Sequence, residues 1–163
     1  MSDKPKHDPF AVLRYKEFNF FLANRFFLTL GIQMQSVIVG WQVYALTKDV
    51  FALGMIGLTE AIPFIAISLF SGHVADTFNR KYILLFFTFL FFVVTGFLLY
   101  FSLDGVHVLK TYGTLPIFIS IAFVGVIRGF ISAANSSFMA QLVPRSVYGN
   151  AATWNSTVWH IAS

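Results

Sequence analysis

The sequence predicts an all-α, polytopic membrane helix bundle, and three observations support that fold class. Charged residues make up 11% of the 163 residues, well below the roughly 25% that is typical of soluble domains. Phenylalanine alone supplies 21 residues, and the mean hydropathy is +0.74. Long apolar stretches alternate with short polar ones, which is the pattern of membrane-spanning helices.

The same composition excludes several other classes of protein. Cysteine is absent, so disulfide bridges and thiolate metal sites are excluded. The net charge of +4 comes from basic residues that flank apolar stretches, so it reflects membrane topology and we expect no nucleic-acid partner. The histidines are scattered singly, and no HExxH, GxSxG or phosphate-cradling motif is present. We therefore expect no metal, no cofactor and no catalytic residue, and an enzyme is the weakest hypothesis.

Uninterrupted apolar length predicts four spans and the beginning of a fifth. About 20 residues at a rise of 1.5 Å cross the roughly 30 Å of hydrocarbon in a bilayer. Residues 1–22 precede the spans as a cytoplasmic leader, of which residues 10–21 either lie in the membrane interface or fray. The spans are expected at about residues 23–46, 51–72, 82–103 and 115–143, followed by an incomplete span at 150–163.

The distribution of basic residues orients these spans. With the N-terminus in the cytoplasm, only Lys48 and Lys110 lie outside. We therefore expect a multi-pass protein of the plasma membrane, a bacterial inner membrane, with a cytoplasmic N-terminus. The basic residues that this orientation places inside are Lys4, Lys6, Arg14, Lys16, Arg25, Arg80, Lys81 and Arg145.

The whole chain, residues 1–163, is predicted to form one transmembrane domain, because the connections are short and contain no flexible linker. The segment after Asn150 has the character of a fifth span, but it is shorter than the roughly 20 residues that a span requires. Its last carbonyl groups would lack partners in hydrocarbon, at several kcal/mol. The sequence is therefore expected to be a piece of a longer protein or a truncated product.

The first span carries polar and small side chains at spacings of three and four, which place them on one helix face. This face either lines a polar cavity or only makes hydrogen bonds between helices. The third span is rich in phenylalanine on all sides and is expected to face lipid. The face of the first span consists of Arg25, Thr29, Gln33, Ser36, Gly40 and Tyr44, of which Thr29, Gln33, Ser36 and Tyr44 are the candidates for lining a cavity.

The fourth span presents two adjacent faces. One is a small-residue stripe that contains a GxxxG pair, Gly125 and Gly129, and such a pair lets helix backbones approach closely. The other is a polar line headed by Arg128, in which Ser132 and Asn135 are further candidates for lining a cavity. The complete stripe of small residues is Ala122, Gly125, Gly129, Ala133, Ser136 and Ala140.

Arg128 lies about 13 residues, or roughly 20 Å, from the outer end of the fourth span. A cation at that depth costs about 2.5 to 3.5 kcal/mol on insertion scales, so it requires a partner. Glu60 lies at comparable depth in the second span. The two either form a static buried pair, or Glu60 exchanges a proton while Arg128 stabilises its charged form; Arg128 facing a cavity alone could instead hold an anionic group. Pro63 is expected to bend the second span nearby.

The connection between the second and third spans reads GHVADTFNRK from Gly72 to Lys81. It resembles the cytoplasmic signature loop of the major facilitator superfamily, whose general form is G-x-x-x-D-[RK]-x-G-[RK]-[RK]. Thr77 replaces a basic residue of that form and Asn79 replaces a glycine. Because asparagine tolerates a left-handed turn better than most residues, we expect the bend to survive at Asn79. The matching residues are Gly72, Asp76, Arg80 and Lys81.

The resemblance covers nearly the whole chain. Residues 41–82 are similar to the first two helices of the branch that holds enterobactin-type siderophore exporters and macrolide or multidrug efflux pumps. GVIRGF resembles that branch's fourth-helix arginine motif and falls on Arg128, and QLVPRSVYGNAATWNS resembles its loop before helix five. The chain would then supply the first four helices and the start of the fifth of the N-terminal half.

The resemblance implies a proton-coupled secondary transporter with twelve helices in two halves and alternating access around a midplane site. Gly72 would allow close helix packing, and Asp76 would help lock one conformation through the other half. The implied partners are the lipid bilayer, a small organic or amphipathic substrate, protons, and the C-terminal half of the same protein. The alternative is a truncated, non-transporting membrane scaffold.

Overall fold

The structure is a computed structural model that describes residues 10–103 and 112–163, without the side chains of residues 75, 76 and 103. All of the regular secondary structure in these ranges is helical. Within them, helices α1 to α4 are long and apolar enough to cross a membrane, which confirms the predicted polytopic helical class. The α-helices are α1 Lys16–Thr47, α2 Val50–Thr77, α3 Arg80–Leu103, α4 Leu115–Leu142 and α5 Tyr148–Ala162, with short 3-10 turns at Ala11–Arg14 and Arg145–Val147.

The chain divides into two compact units, Met1–Gln33 with Phe138–Ser163 and Met34–Ser137. In the first unit, α1 begins at Lys16, earlier than the apolar stretch near residue 23. Within residues 10–21, Val12 and Phe18 are both 0% exposed. Their side chains pack against residues from the end of the chain, whereas Phe10 and Phe20 are exposed, so a position of this segment in the membrane interface stays a prediction. The core of this unit consists of Val12, Phe18, Phe21, Leu22, Met139, Val143 and Ala151.

In the second unit, α1 and α2 are joined by a turn of only two residues. Lys48 adopts the left-handed conformation with φ 54°, and its backbone N–H donates to the carbonyl of Tyr44 at 2.8 Å. Asp49 then caps α2, because its carboxylate accepts a hydrogen bond from the backbone N–H of Phe51 at 2.9 Å. This tight turn joins the ends of α1 and α2 that are predicted to lie outside.

The turn between α2 and α3 is shorter than the sequence predicted. Helix α2 continues to Thr77 and α3 begins at Arg80, so most of the signature segment is helical. The left-handed bend expected at Asn79 is wrong, because Lys48 is the one non-glycine residue in the described ranges with positive φ. Asn79 instead caps α3: its side-chain oxygen accepts from the N–H of Lys81 at 3.1 Å. Asparagine is favoured both in left-handed turns and at helix N-caps. Because the connection has only two residues, Asn79 directly precedes α3 and acts as its N-cap.

The core of the second unit draws side chains from four helices. Its buried members are Val39 and Val43 of α1, Ile56 of α2, Leu98 of α3, and Ile117 and Ile121 of α4. Helix α4 is the most buried of the four span-capable helices and α2 the least. Many of the exposed side chains of α2 between Val50 and Phe70 are large and apolar, which is typical of a helix that faces lipid or another membrane segment.

Helix α3 does not present phenylalanine to its surroundings on all sides, which corrects the expectation from sequence. Phe91 is buried. The ring of Phe87 stacks on that of Phe130 of α4 with centroids 4.3 Å apart and planes 11° apart. The remaining side retains the lipid-facing character, since Phe86, Phe89, Phe92 and Phe97 are exposed.

Candidate functional site

The candidate site begins with a close approach of α4 to α2. A Cβ atom added at Gly125 would lie 2.3 Å from the backbone oxygen of Glu60, so no side chain fits there. A Cβ at Gly129 would lie 3.0 Å from Cγ2 of Ile67. The predicted GxxxG contact is therefore confirmed, and α2 is its partner. This approach brings the flanking Arg128 within reach of α2.

Arg128 and Glu60 form an ion pair in which Nη1 of the guanidinium donates to Oε1 of the carboxylate. The pairing that was expected from their similar depth is therefore present. The Arg128 side chain is 37% exposed and that of Glu60 20%, so neither is sealed inside the helix contact. Helix α2 is continuous through Pro63, which lies one turn beyond Glu60.

The ion pair lines a cavity of about 240 Å³. Its wall on α2 consists of residues spaced at i, i+3, i+4 and i+7, which lie on one helix face. Three of them are apolar, so a paired carboxylate and guanidinium stand beside an apolar surface. Such a cavity can admit water or a small organic group to the carboxylate. The lining residues are Gly57, Glu60, Ala61, Phe64 and Arg128.

Residues 7–163 match the family of transmembrane secretion effectors in the major facilitator superfamily. The chain belongs to this family. Membership in the transmembrane secretion effectors agrees with the resemblance found in the sequence and points to a multi-pass membrane transporter rather than an enzyme. No curated protein and no solved structure matches the chain significantly.

The signature residues of this transmembrane secretion effector lie at the α2–α3 connection. Gly72 is exposed, and a Cβ added there would meet no atom within 4 Å, so the expected role in close helix packing is absent within the described residues. Asp76 belongs to α2, and its side chain lies outside the described residues. Arg80 and Lys81 form the first turn of α3. Their gating role therefore stays a prediction.

The polar residues of α1 are not among the described residues that line this cavity. In the first unit, Thr29 is buried and its hydroxyl donates to the backbone oxygen of Arg25 at 2.8 Å. The amide of Gln33 donates to the backbone oxygen of Ser163 at 3.0 Å. In the second unit, Ser36 and Tyr44 are exposed. Whether they line a transport pathway stays a prediction.

The two polar residues that follow Arg128 on α4 have different surroundings. Ser132 is exposed. Asn135 is only 4% exposed, and both atoms of its amide lack a hydrogen-bond partner among the described residues. An unpaired amide in apolar surroundings is unfavourable by about 1–3 kcal/mol. The buried amide of Asn135 therefore requires a hydrogen-bond partner, whereas the exposed hydroxyl of Ser132 does not.

Sequence reasoning missed a hydrogen-bonded pairing of α1 with α3. The hydroxyl of Thr95 lies 3.2 Å from Oε1 of Gln35, and the hydroxyl of Ser102 lies 3.0 Å from Oε1 of Gln42. Each hydroxyl also lies within 2.9 Å of a carbonyl oxygen of α3, that of Phe91 or Leu98, so its one proton is shared between two acceptors. The partners are seven residues apart on both helices, so the two helices run parallel in register. The sequence contains one indication of this pairing, namely that the polar residues on both helices are seven positions apart. Sequence reasoning did not use this spacing, because it followed the polar face of α1 that contains Gln33.

Proposed function

We propose that this family member is the N-terminal part of a secondary active transporter that exports small organic or amphipathic compounds in exchange for protons. Membership in the transmembrane secretion effectors and four span-capable helices support a transporter. The observation that carries proton coupling is the ion pair of Glu60 and Arg128 on the wall of an accessible cavity. A pair held only for stability requires no such cavity.

The proposed coupling step is the protonation of Glu60. A neutral carboxylic acid no longer attracts the guanidinium, so protonation weakens the ion pair and releases Arg128 into the cavity. The backbone of Glu60 lies against Gly125, so a change at the carboxylate acts directly on the α2–α4 contact. An inward proton gradient then drives the alternation of access by loading Glu60 on one side of the membrane and unloading it on the other.

The remaining predicted residues take part in this scheme as proposals. Asp76, with Gly72, Arg80 and Lys81, stabilises one gating conformation at the cytoplasmic face of a bacterial inner membrane. The polar residues of α1 and α4 line the pathway, and the opposite side of the pathway comes from the C-terminal half of the same protein. The residues proposed to line the pathway are Thr29, Gln33, Ser36, Tyr44, Ser132 and Asn135.

The test is transport by the full-length protein in proteoliposomes under an imposed pH gradient, measured with a panel of fluorescent organic compounds. Glu60→Gln keeps the shape of the side chain but removes its proton exchange. We expect this variant to lose gradient-driven export while it retains downhill exchange of the compound. Glu17→Gln is the matched control, because Glu17 lies exposed in the first turn of α1.

Equal gradient-driven export by wild type and Glu60→Gln would refute the coupling role. Export of none of the compounds by wild type, with or without a gradient, would favour the non-transporting scaffold.

A further inference from the structure

We propose that Gly57 determines which group of a transported compound enters the cavity, and that this group is small, uncharged and bears a hydrogen-bond acceptor such as a carbonyl or ether oxygen. This inference rests on the proposed function, since it takes the cavity beside Glu60 and Arg128 as the place where the compound binds.

Packing does not account for a glycine at position 57. A Cβ added there would meet no atom within 4 Å, in contrast to Gly125, whose missing side chain leaves room for the Glu60 backbone. A glycine inside a helix is also unfavourable, by about 0.5–1 kcal/mol relative to alanine. The missing side chain therefore leaves room in the cavity, which Gly57 lines.

The volume of the cavity limits what it can hold. At about 240 Å³, it is below the roughly 300–1,000 Å³ of pockets that enclose whole drug-sized ligands. It therefore accepts one group of a larger compound. Ala61 and Phe64 make the adjoining wall apolar, and the Phe64 ring offers a face or edge to an unsaturated group.

The charges on the wall favour an uncharged acceptor. One carboxylate and one guanidinium balance each other, so a charged group would bring an uncompensated charge into apolar surroundings. The guanidinium has five N–H donors, and its contact with Glu60 engages Nη1. The guanidinium is also the more exposed partner. A ligand oxygen that accepts a hydrogen bond from Arg128 therefore fits the cavity without disrupting the ion pair.

The chain contains no cysteine, so Gly57→Cys introduces a single thiol into the cavity. Gly54→Cys is the matched control, because Gly54 lies on the same helix with equally open surroundings but does not line the cavity. The probes are four methanethiosulfonates: methyl, pyrenylmethyl, anionic sulfonatoethyl and cationic trimethylammonioethyl. The large probe carries four fused rings, because a single benzene ring already fits a cavity of about 150 Å³. Labelling rates are measured on the chain in membrane vesicles without a proton gradient, so the result does not depend on coupled transport.

At Gly57→Cys we expect the methyl reagent to outpace the pyrenylmethyl reagent by about tenfold more than at Gly54→Cys. Adding Phe64→Ala, which widens the cavity, should restore the pyrenylmethyl rate at position 57 but leave the rates at position 54 unchanged. Relative to the methyl reagent, both charged reagents should react more slowly at position 57 than at position 54. An unchanged ratio of the methyl rate to the pyrenylmethyl rate would overturn the size limit, and a preference of about tenfold for either charged reagent at position 57 would overturn the uncharged assignment.

A transport assay provides a second, independent test of the role of Gly57. In the full-length protein, Gly57→Leu should abolish export of compounds that wild type exports, whereas Gly54→Leu should leave it unchanged. Full export by Gly57→Leu would overturn the proposal. If wild type exports nothing, the proposed function fails while the labelling rates still report whether Gly57 limits entry to the cavity.

Discussion

The contact of Gly125 with α2 supports a quantitative prediction. In Gly125→Ala, the new methyl group would lie 2.3 Å from the backbone oxygen of Glu60, 3.1 Å from its carbonyl carbon and 3.3 Å from its Cα. Ordinary contacts between heavy atoms lie at about 3.5–4.0 Å, so the helices must separate by about 1 Å. All three atoms are backbone, which cannot rotate away. Overpacking costs about 1–3 kcal/mol, and we expect the upper end of that range, about 3 kcal/mol.

Alanine substitutions at two further glycines provide comparisons for the loss of stability expected in Gly125→Ala. Gly129→Ala meets the side chain of Ile67 first, which can change rotamer, so we expect a smaller loss of about 1 kcal/mol. Gly96→Ala meets no atom within 4 Å and should gain stability, by up to about 1 kcal/mol, from helix propensity.

The assay is reversible unfolding of the purified chain in mixed detergent micelles, followed by circular dichroism. The free energy of unfolding should fall in the order Gly96→Ala, wild type, Gly129→Ala, Gly125→Ala. If Gly125→Ala unfolds with the same free energy as wild type, the close approach of α4 to α2 is refuted, and with it the placement of Arg128 beside Glu60.

The same unfolding assay checks three further predictions. Lys48→Gly should stabilise the chain by about 1 kcal/mol, because φ 54° is unfavourable for a residue with a Cβ atom; a loss of stability would contradict the left-handed turn. Asn79→Ala should destabilise by about 1 kcal/mol through loss of the α3 cap, whereas Asn79→Asp should retain it; equal effects of the two would contradict the cap. A double-mutant cycle between Gln42→Leu and Ser102→Ala should give a coupling of about 0.6 kcal/mol, and strict additivity would show that the two side chains do not interact.

Much of the fold followed from the sequence because lipid imposes a simple rule. Each spanning helix requires a long apolar stretch, and such stretches are visible without knowledge of their neighbours. The pairing of Glu60 with Arg128 was predictable for a related reason, since depth in a membrane can be counted in residues from the end of a span. The close packing at Gly125 and Gly129 was also predictable, because the GxxxG pattern is visible in the sequence and lets helix backbones approach closely.

The features that sequence reasoning missed depend on contacts between segments. An amphipathic segment around Phe18 has the same pattern whether it faces a membrane surface or is buried by residues from the other end of the chain. The roles of Gln35 and Gln42 could not be predicted, because they depend on the hydroxyl groups that α3 places next to both side chains. Asn79 suits a left-handed turn and a helix cap equally, so only the length of the connection could decide between them.

The two-residue connections at both ends of α2 restrict how this helix can move. Three Cα–Cα steps of 3.80 Å link Thr47 to Val50 and Thr77 to Arg80, so each pair of helix ends remains within about 11 Å. Axial sliding of α2 by more than a few ångströms would require unwinding at one end. Rotation and tilting about these connections remain available, so any conformational cycle of this chain tilts or rotates α2 and does not slide it along its axis.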